Sequence, residues 1–60
     1  MKGVEIKKWR LKLKLSQEKL AQLIGVTVQS VNKWELEKTN PSSLAVEKMK
    51  KIIKEQEENE

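Results

Sequence analysis

The sequence predicts an all-α domain, a compact bundle of about four helices. A chain of 60 residues is long enough for one domain at most. Helix-breaking segments at Gly3, 14–16, Gly25 and 37–43 divide it into four short blocks, and the apolar residues of each block recur at helical spacing. The predicted helices cover approximately residues 4–13, 17–24, 28–36 and 42–55.

The composition excludes several classes of protein. Cys and His are absent, so disulfides and the common zinc frameworks are not available. Asp, Tyr and Phe are also missing, and the remaining Ser, Thr, Lys and Glu form no recognisable catalytic arrangement. We therefore expect no enzyme, no cofactor and no metal. No apolar run approaches the roughly 18 residues of a membrane span, and a signal-peptide core is absent, so a cytoplasmic protein is expected.

The charge is unevenly distributed along the chain. Residues 1–54 contain all 13 basic residues and five glutamates, a formal charge of +8, whereas residues 55–60 carry −4. We interpret 1–54 as the folded domain and 55–60 as an acidic C-terminal tail. The positive charge of residues 1–54 is typical of a domain that binds a polyanion. Surface charge that only keeps a protein soluble would explain the net charge equally well.

The first block admits three interpretations. Residues 9–15 alternate between apolar and polar, which is typical of a strand, but Ile6, Trp9 and Leu13 form a helical stripe. A single strand would have no partner, so a helix is favoured. A basic amphipathic segment on a membrane surface is the third reading, and it is disfavoured because the other blocks offer a core to join.

The second and third blocks carry clear start and stop signals. Ser16 and Thr27 are good N-caps, although Lys19 at the third helical position leaves the capping box incomplete. Gly25 is placed to end the second helix in a left-handed conformation. The apolar face of that helix is predicted from four residues, Leu20, Ala21, Leu23 and Ile24.

The third helix presents a polar face to solvent. At about 100° per residue, Val31 and Trp34 lie on the inner side. The outer side carries two amides, one cation and a small apolar residue, which are the groups that contact base edges in a major groove. A plain solvated face would explain the polar residues on their own. The outward residues are Val28, Gln29, Asn32 and Lys33.

The two blocks together have the spacing of a DNA-binding helix-turn-helix. The positions are Leu20, Ala21, Ile24, Gly25, Val26, Val31 and Trp34. With Leu15–Ala21, Ile24–Thr27, Trp34-Glu35 and Pro41-Ser42, residues 6–53 resemble the phage repressor/Cro-type (XRE-like) helix-turn-helix family.

The resemblance implies a role for individual residues. Val28, Gln29, Asn32 and Lys33 would read bases from a third helix lying in the major groove. Arg10 and Glu35 match an internal ion pair between the first and third helices, and Trp9 and Trp34 are read as core residues. Phosphate contacts would come from Ser16, Gln17, Lys38 and Asn40.

Three departures from the family pattern limit what the resemblance implies. Lys14 and Glu37 stand where glycines are usual, and the acidic tail replaces a fifth helix that often helps larger relatives to dimerise. The leading hypothesis is a small prokaryotic or phage transcriptional regulator that binds a pseudo-palindromic operator in double-stranded DNA as a homodimer. The alternative is a protein-interaction module, adaptor or antitoxin-like, that reuses the fold without a DNA target.

Overall fold

The computed structural model describes residues 2–58, and this part of the chain is all-α, as predicted. The first three helices begin and end within one residue of their predicted bounds. None of the described helices is both long and apolar enough to cross a membrane. The four helices are α1 (Gly3–Lys12), α2 (Gln17–Ile24), α3 (Val28–Glu35) and α4 (Ser43–Glu58).

The ends of α2 and α3 are fixed by the predicted capping residues. The Ser16 hydroxyl accepts a hydrogen bond from the Lys19 backbone N–H at 3.0 Å, and the Thr27 hydroxyl accepts one from Ser30 N–H at 3.2 Å. Gly25 ends α2 in the left-handed region, with φ 87° and ψ 34°. Each cap hydrogen bond satisfies a backbone group that a short helix leaves unpaired, so the starts of both helices are set by local contacts.

The core is one apolar cluster to which all four helices contribute. Leu15, Val26, Val46 and Ile52 pack around its margin, and Trp34 is buried while Trp9 is half-buried. Among the described side chains, none that is buried and polar lacks a hydrogen-bond partner. The buried hydrophobic residues are Ile6, Leu20, Ala21, Ile24, Val31, Trp34, Ala45 and Met49.

Leu23, which was predicted to face the core, does not face it, and neither does Leu44, an apolar residue of the fourth block. Leu23 is 45% exposed and Leu44 is 62% exposed. The buried residues of α4 are Ala45 and Met49, with Val46 and Ile52 packed beside them, so Leu44 at the start of the helix lies outside its core-facing side. An apolar stripe wider than the contact with its neighbour leaves its outer members in solvent, which is what both leucines show.

The turns that depart from the family pattern keep the left-handed backbone. Lys14 has φ 58° and Glu37 has φ 60°, and they are the non-glycine residues with positive φ in the described chain. A non-glycine residue in the left-handed conformation destabilises the folded state by roughly 1–2 kcal/mol. The lysine is therefore accommodated without a change in turn shape, at the expense of local strain.

Gly3 lies where α1 passes close to the end of α3. A Cβ atom at this position would sit 2.3 Å from the Trp34 carbonyl oxygen and 2.9 Å from that of Glu35. Both atoms belong to backbone, so they cannot move aside as a flexible side chain would. Sequence reasoning treated Gly3 only as a helix breaker, whereas the structure gives it a steric role in seating α1 against α3.

Helix α4 continues beyond its predicted end at residue 55, as far as Glu58. Four residues of the predicted acidic tail, 55–58, are thus helical, and residues 59 and 60 lie outside the described part of the chain. The helix has no basic residue in its last turn.

Candidate nucleic-acid interface

The outer face of α3 is solvent-exposed and chemically varied. Val31 and Trp34 point into the core, so the helix cannot rotate without exposing them. The four side chains on the opposite side are fixed in direction by that burial. They are Val28, Gln29, Asn32 and Lys33, all exposed.

Neighbouring elements extend this face into an open concavity. Gln17 from the start of α2 and Lys38 from the loop after α3 line it together with the four α3 residues. The Lys38 backbone N–H donates to the Lys33 carbonyl at 2.9 Å, which holds the loop against the helix end. We call these six residues the α3 concavity. Ser16 and Asn40, the other predicted phosphate contacts, are exposed but do not line it.

The α3 concavity offers the donors and acceptors that a base pair requires. An amide side chain can bond adenine N6 and N7 bidentately, a lysine can donate to guanine, and an aliphatic group can contact a thymine methyl. Gln29 and Asn32 supply the amides, Lys33 the cation and Val28 the methyl groups. Lys38 adds a second positive charge at the rim.

An ion pair lies directly behind this surface. Arg10 Nε donates to Glu35 Oε2 at 2.7 Å, and Nη2 donates to Oε1 at 3.0 Å, a bidentate geometry. Arg10 Nη1 also donates to the Leu15 carbonyl oxygen at 2.9 Å. The side chains are only 10% and 4% exposed, respectively. One arginine therefore connects α1, the turn before α2, and the last residue of α3.

The pair shifts the protonation equilibria of both partners. Burial alone would raise the pKa of the Glu35 carboxyl, but hydrogen bonds from Arg10 and Gln17 and the positive charges of Arg10 and Lys7 lower it below its ordinary value. The hydrogen bond to Glu35 raises the pKa of Arg10 against the opposing effect of desolvation. Both shifts favour the doubly charged state.

Gln17 connects the ion pair to the α3 concavity, a role that sequence reasoning missed. Its Nε2 donates to Glu35 Oε1 at 3.2 Å, and its Oε1 accepts a long contact of 3.5 Å from Asn32 Nδ2. One Nε2–H remains free for a phosphate oxygen, and Asn32 keeps its carbonyl oxygen and one N–H for a base. The spacing of Gln17 and Asn32 gives no sign of this contact, because it depends on how α2 crosses α3.

The Ser16 hydroxyl is occupied as the cap of α2. A phosphate at this end would therefore meet the free backbone N–H groups of the first turn, where the helix dipole also favours an anion.

The fold and this surface define a helix-turn-helix domain, in which a short second helix and a tight turn present the outer face of the third. The family model described as helix-turn-helix matches residues 6–55, and the chain belongs to that family, of the XRE/Cro type. It is a family of DNA-binding transcription regulators. No curated protein and no solved structure matched the chain in the other two comparisons.

Proposed function

We propose that the chain is a sequence-specific double-stranded DNA-binding regulator that inserts α3 into the major groove. The observation that carries the proposal is the α3 concavity, in which three amides, two cations and a small apolar residue converge on one surface. The net charge of +4 favours approach to a polyanion. Gln29 and Lys33 are exposed and have no side-chain partner among the residues that the structure describes, which leaves both side chains available to bases.

The roles divide between base reading and positioning. Val28, Gln29, Asn32 and Lys33 read base edges, while Lys38, Asn40 and the start of α2 at Ser16 and Gln17 contact phosphates. Arg10 and Glu35 have a structural role, since they fix α3 against α1 from behind. The operator would be pseudo-palindromic and bound by a homodimer, in the cytoplasm of a prokaryotic or phage-infected cell.

The base-reading role is tested by Gln29→Ala. A bidentate contact discriminates by roughly 1–3 kcal/mol, so affinity for the selected operator should fall about 5- to 150-fold, while affinity for random duplex stays nearly unchanged. The operator is first obtained by selecting bound sequences from a random duplex pool. Gln22→Ala is the matched control, because Gln22 is an exposed glutamine on α2 outside the concavity. Equal losses on operator and random duplex would refute base reading.

The phosphate role is tested by Lys38→Ala. Its removal should weaken binding to every sequence alike and reduce the slope of log affinity against log salt by about one unit. Lys54→Ala removes an exposed lysine that does not line the concavity and should leave the slope unchanged. A sequence-dependent effect of Lys38→Ala would contradict the assignment.

A protein-interaction module is the second candidate. Glu37, beside Lys38 in the loop, and the glutamates of 55–60 place negative charge on a chain proposed to approach phosphate, which favours this alternative. Mobility-shift measurements on mixed duplex at low salt separate the two. A DNA-binding protein should show non-specific dissociation constants of about 10⁻⁴–10⁻⁶ M, whereas an interaction module should show no shift.

A further inference from the structure

Glu37 occupies a left-handed position in the loop after α3, directly before the proposed phosphate contact Lys38. Its backbone φ is 60°, in the region that favours glycine. The Glu37 backbone N–H donates to the Trp34 carbonyl at 3.0 Å, and the Lys38 backbone N–H donates to the Lys33 carbonyl at 2.9 Å. Both residues are therefore attached to the last turn of α3, and their backbone sets the direction in which each side chain leaves the loop.

The side chains of Glu37 and Lys38 leave the loop on different sides. Lys38 lines the α3 concavity, whereas Glu37 does not. The Glu37 Cγ atom lies only 2.9 Å from the point where a Cβ atom would stand at Gly3, the buried first residue of α1. The aliphatic stem of Glu37 thus packs against α1, in space that stays open because Gly3 has no side chain.

This contact places the negative charge of Glu37 near the beginning of α1. The carboxyl carbon is one bond beyond Cγ, so it remains close to Gly3. The N-terminal end of a helix carries a partial positive charge, which favours an anion. The N-cap residue, Lys2, makes no capping hydrogen bond, as expected for a side chain that has donors only. A glutamate is therefore better tolerated here than beside a DNA phosphate.

We propose that Glu37 is a positioning residue for Lys38. Its stem holds the loop against α1, so that Lys38 is presented to the α3 concavity while the Glu37 carboxylate is kept away from phosphate. The effect on DNA rests on the proposed function, but the contact with α1 does not. Because the stem and not the charge carries the role, Glu37→Gln should behave like the wild type.

Duplex affinity distinguishes positioning from repulsion. Glu37→Ala removes the stem but keeps a non-glycine residue at φ 60°, so the backbone strain is not relieved. If Lys38 is displaced, affinity for operator and random duplex alike should fall about two- to fivefold, the value of one exposed charge contact. Glu37→Gln should match Glu47→Gln, which removes the same charge from an exposed position on α4. A carboxylate that only repelled phosphate would give tighter binding in both Glu37 variants, most clearly at low salt.

A double-mutant cycle with Lys38 tests whether Glu37 acts through that lysine. In the Lys38→Ala background, Glu37→Ala should have almost no further effect on affinity, since the side chain that it positions is gone. A general structural role would instead lower affinity equally in both backgrounds. Circular-dichroism melts verify that each variant is folded at the temperature of the binding measurement.

Amide hydrogen exchange tests the contact with α1 in the absence of DNA. Glu37→Ala should accelerate exchange of the Lys38 N–H, which is bonded to the Lys33 carbonyl, by about fivefold, and Glu37→Gln should not. The Gly25 N–H, bonded to the Ala21 carbonyl at 2.8 Å, is the reference, because it reports opening of the domain away from the loop.

Three results would overturn the inference: tighter duplex binding by Glu37→Gln than by Glu47→Gln, equal losses for Glu37→Ala with and without Lys38, or unchanged exchange at Lys38 in Glu37→Ala. Its failure is distinguishable from failure of the proposed function. A wild type that binds a selected operator, with unchanged exchange in Glu37→Ala, refutes only the positioning role. Accelerated exchange in Glu37→Ala, with a wild type that has no affinity for duplex DNA, refutes the proposed function and leaves the contact with α1 standing.

Discussion

Removal of Arg10 should destabilise the domain more than any other charge substitution. In Arg10→Met, the carboxylate of Glu35, which is 4% exposed in the wild type, loses both arginine hydrogen bonds and keeps only the one from Gln17. A buried charge stranded in this way costs about 3–5 kcal/mol. At roughly 0.05–0.15 kcal/mol per residue, a domain of this size has a total stability of only about 3–9 kcal/mol, so the variant should be close to unfolding.

The assay is urea unfolding followed by circular dichroism. With a denaturant slope of about 1 kcal/mol per molar urea, the midpoint should fall by about 3 M or more. Lys8→Met removes the same charge from an exposed position on α1 and is the control. The double variant Arg10→Met/Glu35→Met should be more stable than Arg10→Met alone, because no charge is then left buried. A loss below about 1 kcal/mol in Arg10→Met, or strictly additive losses in the double variant, would refute the reasoning.

The contribution of Glu35 to the pH dependence of the unfolding free energy should have opposite signs in the wild type and in Arg10→Met. In the wild type, the pKa of Glu35 is lowered from its ordinary 4.5, so the unfolded chain binds more protons, and the stability contributed by Glu35 is lost as the pH falls below that value. Without Arg10, the main positive charge and two donors are gone, and burial should raise the pKa of the carboxyl. The variant should then gain stability as the pH falls through this raised pKa. Unfolding free energies measured between about pH 3 and pH 7 decide the sign.

Two further substitutions test the backbone. Gly3→Ala should destabilise by roughly 1–3 kcal/mol, since its Cβ would meet the Trp34 carbonyl at 2.3 Å; an unchanged urea midpoint would contradict the close approach. Lys14→Gly should stabilise the domain by about 0.5–1 kcal/mol. The substitution removes the backbone strain of a lysine at φ 58°, and this gain exceeds the cost of the extra conformational entropy that a glycine gives the unfolded chain. Lys8→Gly, in the exposed interior of α1, should instead lower the thermal midpoint; a parallel loss for Lys14→Gly would contradict the left-handed strain.

The parts of the fold that follow from short-range chemistry could be predicted from the sequence. The caps at Ser16 and Thr27 and the left-handed Gly25 lie at their predicted places. Each depends on a side chain, or the lack of one, acting on a backbone group within about four residues. This is why the bounds of α2 and α3 agree with expectation, and why the direction of the outer face of α3 could be inferred with them.

The parts that depend on how helices cross could not be predicted. Leu44 and Ala45 are adjacent on α4, and only the position of the neighbouring helices decides that the alanine is buried and the leucine exposed. Gly3 is similar, since the carbonyl that excludes a side chain belongs to Trp34, far away in the sequence. The periodicity of apolar residues predicts which side of a helix faces the core, but the packing partner decides which residues at the edge of that side are buried.

Gln17 shows how the same limit affects the candidate site. The resemblance makes it a phosphate contact, and the sequence offers no further role. In the structure its amide joins Glu35 on one side and approaches Asn32 on the other. Since Glu35 is held by Arg10 from α1, the orientation of a proposed base-reading amide depends on a charge pair that joins α3 to α1. A substitution at Arg10 would then alter base discrimination at Asn32 as well as stability, and the two effects share one physical cause.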